Sequence, residues 1–286
     1  MSEVPAAVFK YLSFTRAQDV LSKLLIRFSQ VSVLNDAREL CPPVSGIAPR
    51  RRIERELSER LSRRVVQIIE NAKKQFPSID LQTISGLVEG FQKELIPRGA
   101  EQIEQLFPTT VRTIYEKLDA NMGILSLSET PTNVLMWSHY AEGGRGVLIE
   151  FSPTHPWFWC QRSQDDDFHH LRRVKYPSSR PPKFLFDTEG EDLLYTKDKD
   201  WEHEREWRII RSFNDAASHL GPDTYGKTVH LFAIPPDCIS RVVLGYRASP
   251  QSVAKLRNVV AANPALAHLR FVKAQQRPDG SIAIAT

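Results

Sequence analysis

Between Arg50 and Leu118 apolar residues recur at helical spacing in three successive runs, and the segments on either side carry the shorter period of strands. Ile53, Leu57, Leu61, Val65, Ile68, Ala72 and Phe76 mark one face of a long amphipathic helix, which Pro77 ends. Ile84, Leu87, Val88, Phe91 and Leu95 mark a second helix. Ile103, Leu106, Val111, Ile114 and Leu118 mark a third, with Pro108 near its middle. Ahead of them CPPVSGIAP, residues 41–49, packs three prolines and a glycine into a stretch that breaks any regular element. Short connections favour antiparallel neighbours. The block 50–118 therefore reads as a helical insertion into a domain assembled from 1–40 and 121–286.

The flanks specify that domain. Residues 8–36 divide into a short strand, a helix carrying Val20, Leu21, Leu24 and Leu25, and a second strand or its approach through Ile26, Phe28, Val31 and Val33. Asn35-Asp36 supplies turn and cap chemistry. Beyond Asn121, GILSLSE and GVLIEF alternate as strands, with a short helix over Val134 to Tyr140 between them. Further strands are expected at Arg173 to Tyr176, Glu206 to Arg211, Thr228 to Ile234, Ile239 to Leu244, Leu269 to Lys273 and Ser281 to Ala285, and a late helix at Pro250 to Ala261. Strands in runs, rather than in strict alternation with helices, predict an α+β fold.

No apolar run approaches the roughly 20 residues a membrane helix needs, and the start, MSEVPAAVFKYLSF, lacks the order of a secretory signal. A cytoplasmic protein with no membrane partner is expected. Cys41, Cys160 and Cys238 are odd in number and far apart, which suits buried apolar roles better than a disulfide framework or a thiolate zinc site. The net charge of +4 says little about nucleic acid.

Two stretches carry candidate chemistry. In LMWSHYAEGGRGVLIEF, residues 135–151, Trp137, His139 and Tyr140 stand just before a glycine turn, where aromatics either cap a core or wall a pocket. In DWEHEREWRIIR, residues 200–211, strand alternation puts Glu204, Glu206 and Arg208 on one side and Arg205, Trp207 and Ile209 on the other. Two carboxylates and a guanidinium on one surface suit a site that holds a sugar hydroxyl and stabilises positive charge at an anomeric carbon. A charged strand edge is the plainer alternative.

Taken in order, VFKYLSF, LND, LSLSETPTNVLMWSHYAEGGRGVLIEF and KDWEHEREWRII resemble the bacterial domain-of-unknown-function family 2971. The chain departs from that pattern at Ala37, where the family usually has proline, and in the helical block. The order of motifs is in turn similar to that of ADP-ribosyltransferases. That second resemblance implies a mixed, largely antiparallel split sheet with flanking helices, and NAD as substrate, in a toxin or phage-defence setting. It implies that Lys10, Tyr11 and Ser13 meet the nicotinamide ribose, with Ser126 and Ser128 on the middle strand. It implies further that Trp137, His139 and Tyr140 wall the nicotinamide pocket, with Arg208 beside them. Glu206 would be the late acid, and Glu204 would orient an acceptor, protein or nucleic acid. The early strand lacks the His or Arg of that group.

Other readings stay open: a non-catalytic sensor or interaction module binding protein or nucleic acid, and a metal-dependent nuclease using Asp165, Asp166, Asp167, His169 and His170, set against a solvated acidic loop. The run Arg50, Arg51, Arg52, Arg55, Arg60, Arg63 and Arg64 is either a partner surface within 50–76 or a helix neutralised by pairs such as Glu56 with Arg60 and Glu59 with Arg63.

Overall fold

The computed structural model describes residues 4–35, 43–78, 80–164, 166 and 168–284. Asp36, Ala37, Cys41, Asp165, Asp167 and Ala285, each named above, lie outside them. The chain opens with β1 (Val8–Leu12), α1 (Phe14–Lys23) and β2 (Leu25–Phe28), then β3 (Val44–Gly46) and the helices α2 (Arg50–Gln75), α3 (Leu81–Gln105) and α4 (Phe107–Asn121). There follow β4 (Met122–Ser128), α5 (Val134–Tyr140), β5 (Val147–Phe151), β6 (Arg172–Arg173), β7 (Lys183–Phe184) and α6 (Gly190–Leu194). The remainder comprises β8 (Glu206–Ser212), β9 (Ser218–Pro222), β10 (Thr228–Ala233), β11 (Ile239–Leu244), α7 (Pro250–Ala261), β12 (Arg270–Gln276) and β13 (Ile282–Ile284).

The fold is α+β, as the strand runs predict, and it divides into two compact units. One comprises Met1–Leu40, Lys117–Ser178 and Leu193–Thr286; the other, Cys41–Glu116 with Ser179–Asp192. The second of these differs from the block expected at 50–118, because β7 pairs in parallel with β3 and brings its flanking residues into the helical unit.

In the first unit an eight-stranded sheet runs in the order β13, β12, β11, β5, β1, β4, β8, β6, antiparallel except between β11 and β12. A smaller sheet, β2, β10, β9, completes the unit. Alternation buries both faces of the large sheet. Val147, Ile149 and Phe151 of β5 join α1 and α7 residues in one cluster, while Leu148 joins Phe9, Tyr11 and Trp137 in another. β5 therefore reads as a nearly continuous apolar run. β9, a largely exposed strand of sequence SHLGP, has no such pattern and went unread in the sequence.

The sheet is pulled apart at one seam. β5 pairs with β1 through five residues and β8 with β4 through seven, yet β1 and β4 share only Phe9 with Ser128. Strands that diverge leave backbone groups to be satisfied otherwise. Across the gap Lys10 Nζ donates to the Ser126 carbonyl at 2.8 Å.

In the second unit the expected third helix is divided. Ile103 lies in the last turn of α3, which ends at Gln105, and α4 starts at Phe107 with Pro108 in its first turn, where a missing N–H costs nothing. α3 instead runs through Pro97. Its core is small: Ala48, Ile53 and Ala100 are buried, with Leu57 and Ile103 against them. Part of the basic run is paired, as Arg50–Glu54, Arg52–Glu56 and Arg55–Glu59, so Glu56 and Glu59 reach back one turn rather than forward to Arg60 and Arg63.

Candidate functional site

The register of β4 with β8 sorts side chains into two sets. Leu125 faces Ile209 and Leu127 faces Trp207, all in the larger core cluster; Ser126 is paired with Arg208 and Ser128 with Glu206. Period-two alternation therefore places Ser126, Ser128, Glu206 and Arg208 on one face. β8, however, starts only at Glu206. Residues Lys199–Glu204 form a 3-10 turn, and Arg205 adopts a left-handed conformation at φ 44°. That reversal, rather than continued strand, turns Glu204 toward the same side. Ser128 fixes it there, its hydroxyl donating to the Glu204 carbonyl at 2.6 Å.

The result is a buried charge cluster. Lys197, Glu204, Glu206 and Arg208 are 2%, 4%, 4% and 0% exposed. Arg208 grips Glu206 with both ends of its fork, Nε to Oε1 at 2.6 Å and Nη2 to Oε2 at 2.8 Å, and its Nη1 donates to the Leu194 carbonyl. Lys197 Nζ lies 2.7 Å from Glu204 Oε2, 3.6 Å from Glu206 Oε2 and 4.6 Å from the centre of the Trp201 ring. Tyr140 Oη donates to Glu204 Oε1 at 2.6 Å, and Asn35 reaches both groups. Each carboxylate thus has a cation beside it, the condition under which buried ions are tolerated.

This cluster floors a pocket opened by the split between β1 and β4. It encloses about 710 Å³ only when the open solvent at its mouth is counted. Phe9, Tyr11, Ser126, Tyr140, Glu204 and Glu206 are among the residues lining it, with Lys10 and Lys197. Burial pushes the Glu206 carboxyl up to about 7, against the opposing pull of Lys197 and with further upward pressure from Glu204. Burial likewise pushes the Lys10 ammonium down to about 8, although Glu206 and Glu204 favour its charge. The Tyr140 hydroxyl is raised, first by burial and then by Glu204.

Of the residues singled out by sequence, Lys10, Tyr11, Ser126, Ser128, Tyr140, Glu204 and Glu206 meet in this pocket. Four do not. Ser13 caps α1, its hydroxyl accepting from the Arg16 N–H. Trp137 is fully buried in the core against Tyr11 and Tyr246, with its indole N–H on the Pro131 carbonyl. His139 is exposed on α5. Arg208 stands behind Glu206, outside the pocket lining. Sequence reading missed Lys197, which looks like one more solvated charge in the run TKDKD; nothing local distinguishes it. The acidic loop closes on itself, Asp166 accepting from the backbone of Arg162, Phe168 and His169. Among the described residues no three His, Cys, Asp or Glu side chains converge as a metal site would require, and no helix is long and apolar enough to cross a membrane.

Residues 136–209 match the model of a family described as Protein of unknown function (DUF2971). That stretch runs from α5 into β8 and contains Tyr140, Lys197, Glu204, Glu206 and Arg208. No curated protein and no solved structure matches the chain.

Proposed function

We propose that the seam pocket binds NAD and breaks its nicotinamide–ribose bond, passing the ADP-ribosyl group to water or to a protein or nucleic-acid acceptor. The observation that carries this reading is the Glu206 carboxylate, buried, gripped by Arg208 and lining a pocket with Tyr11, Ser126 and Tyr140 around it. As the C1′–N bond breaks, its electron pair leaves with neutral nicotinamide and positive charge gathers on the ribose. A fixed carboxylate stabilises that charge more in the transition state than in the ground state. The incoming hydroxyl then forms the new bond to C1′ and gives its proton to Glu204. Tyr140 and Lys197 hold Glu204 for this step. In a cell, loss of NAD by this route would arrest growth, the outcome a toxin or phage-defence role needs.

The test is nicotinamide release from NAD by the purified chain. Wild type is expected to release nicotinamide with a rate that climbs as pH rises through about 7 and Glu206 ionises. Glu206→Gln is expected to lose roughly 10²–10³-fold, the scale for removing one electrostatic stabiliser. No release by wild type, together with no NAD binding by calorimetry, refutes the reading and leaves the non-catalytic sensor.

A further inference from the structure

Back to back with the seam pocket lies a second cleft, enclosing about 1120 Å³ with its open side included. Its lining includes Glu129, Arg173, Lys175, Tyr176, Glu202 and Arg205. Along Glu204, Arg205 and Glu206 the acids line one cavity and the arginine lines the other. The left-handed conformation at Arg205 makes this possible. It is uncommon for a residue with a long side chain, and it is held by the Arg205 N–H on the Glu202 carbonyl and the Glu129 N–H on the Arg205 carbonyl. An observed backbone outlier of this kind is a reason to look for a function at that residue.

The cleft wall is held by hydrogen bonds. Val174 N–H donates to the Glu206 carbonyl, Lys175 N–H to the Tyr195 carbonyl, and the Tyr176 hydroxyl accepts from Glu206 N–H at 2.9 Å. Charge in the cleft is left unbalanced by design of the pairing. Arg173 Nη2 and Arg205 Nη1 both turn to one oxygen of Glu129, at 3.1 and 3.9 Å, while the other oxygen accepts from the Trp207 indole. One carboxylate thus holds two guanidiniums together, and with Lys175 and Glu202 counted the lining carries three cationic and two anionic side chains, one positive charge in excess. Each guanidinium has five donors in a planar fork, so donors remain on both after Glu129 is served. Two forks converging on an electropositive cleft are the arrangement that recognises phosphate oxygens.

We propose that this cleft is a second ligand site, separate from the seam pocket, which takes a phosphate group carried by a nucleotide or a nucleic-acid strand. The ligand's oxygens lie between Arg173 and Arg205, and its neighbouring atoms rest on the Tyr176 wall. The cleft would work whether or not the seam pocket acts on NAD, since no residue of the NAD-cleaving step lines it.

The experiment titrates the full chain with inorganic pyrophosphate and, separately, with a short single-stranded oligonucleotide, by calorimetry at low salt. Saturable binding of either probe is expected to weaken roughly tenfold or more in Arg205→Glu and in Arg173→Glu, from the loss of charge-assisted hydrogen bonds. Binding is expected to persist in Glu206→Gln, whatever that variant does to nicotinamide release. Pyrophosphate alone binding identifies a small phosphorylated ligand; the oligonucleotide alone binding identifies a strand. Binding of neither probe, or binding that both reversals leave intact, overturns the proposal. Both arginines are half exposed or more, so the reversals test the cleft without emptying a core.

Discussion

The first unit keeps charge inside, and the second keeps large apolar side chains outside. At the seam four ionisable residues are buried; along α3, Leu87, Phe91 and Leu95 are 60%, 62% and 49% exposed. Each departs from the ordinary sorting of side chains by polarity, but the departures differ in kind. The seam cluster is closed on itself, every charge answered within 4 Å by an opposite one. The helical pair is open: its buried residues, Ile53 and Ala100, with Leu57 and Ile103 against them, gather near the start of α2 and the end of α3, while Val66, Ile68, Leu87, Phe91 and Leu95 are exposed. Buried charge is costly to hold and is kept where it serves; exposed hydrocarbon costs the monomer little.

If that contrast is right, its largest expression is at Arg208. Arg208→Ala leaves Glu206 buried with its bidentate partner gone and Lys197 3.6 Å from one oxygen. The expected loss is about 3–5 kcal/mol in urea unfolding, the scale for stripping one partner from a buried pair. A loss near zero would mean that water reaches Glu206 freely and that the cluster is not closed.

A smaller effect follows from pH. The Glu206 carboxyl stands near 7 in the folded chain, above its ordinary value of 4.5, with burial as the main cause. Its contribution to stability is therefore fully present below about 4.5 and is lost as pH rises through about 7, because the unfolded chain releases the proton first. Lys10 runs the other way: with its folded value lowered from 10.5 to about 8, its contribution is present above 10.5 and lost as pH falls through 8. Urea midpoints measured from pH 4.5 to 7 are expected to show a downward slope from Glu206, which Glu206→Gln flattens. An unchanged slope in that variant would assign the titration to another group.

How much of this was legible in the sequence depends on how local the cause is. β5 and β8 could be read because alternation and β-branched residues are written in five or six consecutive positions. Glu206 and Arg208 could be placed on one face by the same rule. The route that brings Glu204 to them could not, since it rests on a left-handed Arg205, and arginine gives no sign of that conformation in advance. Lys197 was hidden for a different reason: its burial is set by Glu204, Trp201 and Asn35, and no spacing of charged residues reports such an encounter. Trp137 misled in the opposite direction. It stands in the aromatic motif with Tyr140, yet within one turn of a short helix Trp137 meets the core, His139 solvent and Tyr140 the pocket. The break at Leu106 went unread because Pro108 looks alike in a helix interior and in a first turn, and only the capping context separates the two.

The smallest predicted effect is the sharpest test of the contrast, because intuition points the other way. Phe91 is one of the largest hydrophobic residues of α3, and removing an aromatic ring from a core ordinarily costs about 3–5 kcal/mol. With 62% of its surface already in water, Phe91 has little burial to lose. Alanine has the higher helix propensity, by several tenths of a kcal/mol. The two contributions nearly cancel, so Phe91→Ala is expected to leave the unfolding free energy of the chain at low concentration within about 0.5 kcal/mol of wild type. A core-sized loss would show that the stripe is covered in solution, and that the open character of the second unit belongs to the isolated chain alone.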